Sequence, residues 1–132
     1  MPPDDDAFKL SGHAIKQVLD RETFAEGEVI FTEGNYGKSA YILLRGEVAI
    51  TTKNKAGQEV VLTTVQKGQM FGELALMTDS RRTATATART ACEVLYINQE
   101  KLQNKLDSAD PFLKFWIQYL CQRLVELSKR AK

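Results

Sequence analysis

The sequence predicts a mainly β domain, an antiparallel sandwich or barrel with flanking helices, and three observations carry that prediction. Between Phe24 and Ile97 the chain falls into short apolar runs, separated by turns at Gly27, Gly34, Gly37, Gly46, Gly57 and Gly68. Thr83 to Ala88 alternate threonine with alanine, the period of two of a half-buried strand. Beyond Asp110-Pro111 the period becomes helical, with Phe112, Phe115, Trp116, Tyr119, Leu120, Leu124 and Leu127 on one broad apolar stripe.

The 132 residues allow one domain with a real core and little room for a second. A formal net charge of +1 gives no electrostatic reason to expect nucleic acid or an anionic membrane. No apolar run is long enough to span a bilayer, and the start, MPPDDDAF, is acidic where a signal peptide is basic, so a cytoplasmic location is expected. Cys92 and Cys121 lack C-x-x-C spacing and read as buried free thiols. His13 is the only histidine and reads as a surface residue. With one histidine, a metal-dependent enzyme of the cupin type is nearly excluded, and a nucleophile would find no other imidazole as base. The expectation is a non-enzyme with no metal and no cofactor.

Taken in order, residues 1–7 read as a disordered lead, with two prolines and three aspartates, and residues 8–132 as the domain. Phe8, Ala14, Ile15, Val18 and Leu19 suggest a short N-terminal helix. Strands are expected over Thr23 to Phe31 (broken at Gly27), Ala40 to Leu44, Glu47 to Thr52 and Glu59 to Val65, then over Thr83 to Ala88 and Cys92 to Ile97. Lys53 to Gln58 reads as a hairpin loop, and Glu33 to Gly37 and Gln66 to Gln69 as turns. Asn98 can cap a helix running to about Leu106. Asp110 and Pro111 suit the cap and first position of a second helix, reaching about Lys129. Most of its stripe is expected to pack on the β structure, and its excess width asks for a further surface, a ligand or a second copy of the helix.

One stretch organises the chemistry: Phe71 to Ala88, FGELALMTDSRRTATATA. Glu73 to Met77 favour a helix of a turn or two, ended by the turn residues Thr78-Asp79-Ser80. The unpaired N–H groups of such a short helix attract anions, and Gly72 and Ala75 let a ligand approach the backbone closely. An arginine at the start of the next strand can offer a bidentate fork to a phosphate. Glu73 beside a phosphate is costly unless it accepts from a donor such as a sugar hydroxyl. The stretch therefore asks for a phosphate and a ribose hydroxyl, held close together.

These residues closely resemble the phosphate-binding cassette of the cyclic nucleotide-binding domain family. Phe71, Gly72, Glu73, Leu74, Ala75, Leu76, Arg82, Ala84 and Thr85 match its pattern, and the turn glycines fall in register with it. Arg81 stands where the family usually has proline, so the hinge loses a fixed φ and gains a charge. The resemblance covers nearly the whole chain and implies a β-roll of jelly-roll type with helices at both ends. It implies a regulatory sensor that binds cAMP, or less readily cGMP, and couples binding to movement of its C-terminal helices. By the same resemblance the ligand site comprises Phe71, Gly72, Glu73, Leu74, Ala75, Arg82, Thr83 and Ala84. Arg82 and backbone N–H groups would hold the phosphate and Glu73 the 2′-hydroxyl, while Thr83 would add a hydroxyl able to reach a syn guanine. Tyr119, Leu120, Arg123 and Leu124 are candidates for a cap over the base. Further partners are a candidate homodimer through the last helix and an output partner of unspecified kind, with no nucleic acid and no membrane span. The alternatives are a ligand-free dimerisation or protein-interaction module of the same fold, and the sensor part of a transcription regulator without its DNA-binding domain.

Overall fold

A computed structural model describes residues 19–76 and 81–130, with side chains to 127. The expected lead and N-terminal helix lie outside the described residues, as do His13 and the hinge Thr78-Asp79-Ser80. Eight strands follow in order: β1 (Asp20–Phe24), β2 (Val29–Phe31), β3 (Ser39–Arg45), β4 (Val48–Lys53), β5 (Glu59–Val65), β6 (Met70–Phe71), β7 (Thr85–Ala88) and β8 (Cys92–Asn98). A 3-10 turn over Glu73–Leu76 follows β6, and α1 (Gln99–Asp107) and α2 (Pro111–Arg130) close the chain. The strands form two antiparallel four-stranded sheets, ordered β1-β8-β3-β6 and β2-β7-β4-β5, and together they make a β-roll.

The core lies between the sheets. Leu43 and Val94 from one sheet and Val48, Ala86 and Ala88 from the other are fully buried. The threonine–alanine alternation explains the fit: Ala84, Ala86 and Ala88 turn inward while Thr85 and Thr87 stay half-buried on the other face. Small inward residues let the sheets approach, and Phe31, Tyr41 and Phe71 fill one end with rings stacked at centroid separations of 5.2–6.1 Å.

Three expectations need correction. The short helix expected from Glu73 is, over its described residues Glu73–Leu76, a 3-10 helix and not an α-helix. The strand expected from Thr83 begins at Thr85, because Arg82 pairs with a turn: its N–H donates to Asn35 O (2.8 Å) and its carbonyl accepts from Gly34 N (2.9 Å). The apolar stripe of α2 does not pack on the roll. Phe112, Phe115, Trp116, Tyr119, Leu120, Leu124 and Leu127 are all exposed among the described residues. The reason is the joint at Ser108-Ala109-Asp110. Asp110 caps a separate helix, its carboxylate accepting from Phe112 N (2.9 Å), and that helix turns Cys121 and Val125 toward a groove shared with α1. Cys92 is buried as expected, whereas Cys121 is only half-buried.

Asn98 caps α1 as predicted, its side chain accepting from Lys101 N (2.8 Å). Lys101 in turn forms an ion pair with Asp20 at the start of β1, tying α1 to the roll.

Candidate functional site

The site is built around Arg82, and a turn far away in sequence places it. Glu33, just after β2, donates its N–H to Thr85 Oγ1 (2.9 Å), and its carboxylate accepts from Thr52 Oγ1 (3.0 Å) and Lys53 N (3.2 Å). These bonds fasten the turn at residues 34–37 to the second sheet. The turn's pairing with Arg82 then directs that side chain inward.

Arg82 is 8% exposed. Nη1 donates to Gly72 O (3.1 Å) and Nη2 to Ser39 O (2.8 Å), the guanidinium carbon lies 4.1 Å from the centre of the Phe31 ring, and the buried Nε–H has no partner. Among the described residues no carboxylate pairs with it. Burial holds its pKa below the usual arginine value, and the neighbouring Tyr41 opposes that shift. Burial likewise raises the Tyr41 phenol, against the pull of Arg82. A buried cation whose acceptors among the described residues are two neutral carbonyls is costly, and an anion offered to its unused donors relieves that cost.

Gly72 begins the cassette with φ +73, and a Cβ there would stand 2.9 Å from Arg82 Nη1 and 3.1 Å from Phe31, so glycine is required twice over. Beside it opens a cavity of about 460 Å³, in the range of small-molecule sites. Gly72, Glu73, Phe71 and Ala84 form one wall, with Phe31, Ile50, Thr63, Thr64, Val65, Gln69 and Met70 around the rest. Glu73 is exposed on that wall, and its carboxylate has no hydrogen bond or ion pair among the described residues.

Of the other expected site residues, Ala75 is buried and its N–H already donates to Gly72 O (3.3 Å), closing the 3-10 turn. Leu74 is half-buried and Thr83 exposed. Arg82 lines a neighbouring cleft with Gly37, Ser39 and Tyr41, so Phe31 and Gly72 separate it from the cavity. Arg81 is exposed, bonded to Gly34 O (3.0 Å) and stacked on Tyr36 at 4.6 Å. It serves the outside of the turn. Tyr119, Leu120, Arg123 and Leu124 on α2 are exposed, and none lines the cavity. Sequence reasoning missed the far wall, Ile50, Thr63, Thr64 and Gln69. The alternation along β4 marks Ile50 as sharing a face with Val48, but β5 does not alternate, and nothing local shows that Thr63 and Thr64 stand opposite the cassette.

Residues 21–109 match the cyclic nucleotide-binding domain family. The chain belongs to that family. It is 32% identical over 100 residues to a cAMP-dependent protein kinase regulatory subunit of Yarrowia lipolytica, covering 76% of this chain and 26% of the relative. It is 30% identical over 99 residues to the cAMP-activated global transcriptional regulator CRP of Haemophilus influenzae, covering 74% of this chain and 44% of the relative. Among solved structures it resembles the cAMP-bound form of the EAL enzyme Bd1971, with a TM-score of 0.66 and 25% identity, over 85% of this chain and 30% of that one. The chain thus spans less than half the length of these relatives. It is a cyclic nucleotide-binding domain homologous to cAMP-binding regulators, of a kind typically non-catalytic even where, as in Bd1971, an enzyme carries it. No described helix is long and apolar enough to cross a membrane, and no DNA-binding domain is found in the described residues.

Proposed function

We propose that this domain is a sensor of 3′,5′-cyclic nucleotides, with cAMP preferred to cGMP. The observation that carries the reading is the buried Arg82 guanidinium, without a carboxylate partner among the described residues, next to a cavity rimmed by Gly72 and Glu73. The phosphate takes the unused donors of Arg82 together with backbone N–H groups at the head of the cassette. Glu73 accepts from the ribose 2′-hydroxyl, which turns an otherwise repulsive carboxylate into a reader of ribose. Thr83, exposed beside Arg82, offers a hydroxyl to the phosphate. The base then lies in the cavity toward Ile50, Thr63 and Val65. The preference for cAMP rests on the names of the two curated relatives and on the lack of any strong guanine-reading group at Thr83.

Calorimetry with cAMP and with linear 5′-AMP tests the reading. The cyclic diester should bind with submicromolar to micromolar affinity, and the linear monophosphate at least tenfold more weakly. Equal affinities would remove the argument for a compact cyclic diester.

We further propose that α2 carries the output, as a lid over the base and as the seam of a homodimer. Its uncovered stripe supports this, since leaving such apolar area in water costs ~25 cal/mol per Å². Truncation after Gln118 removes Tyr119, Leu120, Arg123 and Leu124. The shortened chain should sediment as a monomer and bind cAMP several-fold more weakly. Unchanged affinity in a folded truncate would show that the base is covered by the cavity walls alone.

A further inference from the structure

Gly37 is a glycine for which its own backbone gives no reason. The described glycines that need positive φ are Gly27, Gly34, Gly46, Gly57, Gly68 and Gly72, and Gly37 is not one of them. Its φ lies outside the left-handed region that favours glycine. What excludes a side chain is Arg82. A Cβ on Gly37 would lie 2.3 Å from Arg82 Nε, 2.6 Å from Nη2 and 2.7 Å from Cζ, all far inside van der Waals contact. The bare backbone of Gly37 is packed directly on the guanidinium.

We propose that Gly37 is a positioning residue for ligand binding, its missing side chain setting where the Arg82 guanidinium rests. Three surfaces confine that group: the Phe31 ring, Gly72 at Nη1, and Gly37 at Nε and Nη2. Two of the three are glycines, and only Gly72 also needs its glycine for φ. A methyl at Gly37 must displace something. The turn that holds Gly37 is fastened by Glu33 to Thr85, Thr52 and Lys53, and by two backbone bonds to Arg82 itself. The guanidinium, at the end of a flexible side chain, is what moves. It then leaves Gly72 O and Ser39 O and no longer holds its fork beside Gly72. The inference rests on the proposed binding of a cyclic phosphate for its consequence, but not for the contact.

The experiment combines Gly37→Ala, Arg82→Ala and the double variant with two measurements. Calorimetry with cAMP should show Gly37→Ala weakening binding about tenfold in the wild-type background and less than twofold in the Arg82→Ala background. Equal losses in both backgrounds would show that Gly37 acts on the fold and not through the arginine. Proton–nitrogen NMR of the ligand-free protein should show the Arg82 Nε–H protected from exchange with water in the wild type and exchanging freely in Gly37→Ala. Unchanged protection overturns the proposal, whatever the ligand. If the wild type binds no cyclic nucleotide, the proposed function falls while the exchange measurement still decides the role of Gly37. Should Gly37→Ala fail to fold, the double variant decides. It should fold, because the clashing group is gone, and its failure to fold would place the defect in the backbone.

Discussion

Arg82→Ala should weaken cAMP binding by about 30-fold or more while the domain still folds. Truncating one partner of a desolvated, hydrogen-bonded charge pair costs ~2–5 kcal/mol, and ~2 kcal/mol already corresponds to roughly 30-fold. The fold should survive because this arginine is a poor stabiliser without its ligand. It is 8% exposed, it lacks a carboxylate partner among the described residues, and its Nε–H is unsatisfied. Removing it frees Gly72 O and Ser39 O but also removes that desolvation penalty, so the unfolding midpoint should move little. Arg82→Lys keeps the charge without the fork and should lie between wild type and alanine. Arg81→Ala is the control, since its guanidinium sits on Tyr36 outside the roll. If Arg81→Ala were the more damaging change, the phosphate arginine would have been assigned to the wrong residue.

Leu43→Ala should destabilise the domain by about 2–5 kcal/mol, the cost of a large cavity in a packed core. Leu43 is fully buried on β3, in one core cluster with Val48 and Ala86 of the opposite sheet. Its backbone also holds the turn after β5: Leu43 N donates to Gln69 O (3.0 Å), and Leu43 O accepts from Gly68 N (2.8 Å). Gln69 belongs to the cavity wall, so the same substitution loosens the site. Denaturant unfolding measures the loss. Saturating cAMP should recover part of it, because a ligand that binds only the folded state stabilises that state. A loss below about 1 kcal/mol would mean that the sheets do not share this core as described.

How much of this was legible in the sequence follows from how local each cause is. β5 was readable to the residue, since Gly57 and Gly68 bracket it and its residues favour strands. Both helix caps were readable because a cap is a contact between a side chain and the N–H groups two or three residues on. Arg82, Gly72 and Glu73 were expected together because the cassette is contiguous, and the structure rests the Arg82 guanidinium against Gly72 O. The burial of Arg82 was not, since it depends on a turn some 45 residues upstream and on the Glu33 bonds that hold that turn down. Nor was the uncovered stripe of α2. A helical period marks which residues share a face, and says nothing about what that face meets.

The root of α1 gives this arrangement a mechanical consequence. Lys38 stands between Gly37, which is packed on the Arg82 guanidinium, and Ser39, whose carbonyl accepts from it. The carbonyl of Lys38 in turn accepts the N–H of Gln99, the first residue of α1 (2.7 Å), and the Gln99 side chain donates to Leu76 O in the 3-10 turn of the cassette (3.4 Å). The pivot of the helical arm is thus one residue away from the arginine's own contacts. α2 is 20 residues long, about 30 Å at the α-helical rise. A tilt of only ~10° at the pivot, carried rigidly along a ~30 Å arm, sweeps the far end through roughly 5 Å, about one helical turn. Under the proposed sensor function, this is the route by which a small adjustment around the guanidinium would reach the helices and be read by another protein surface.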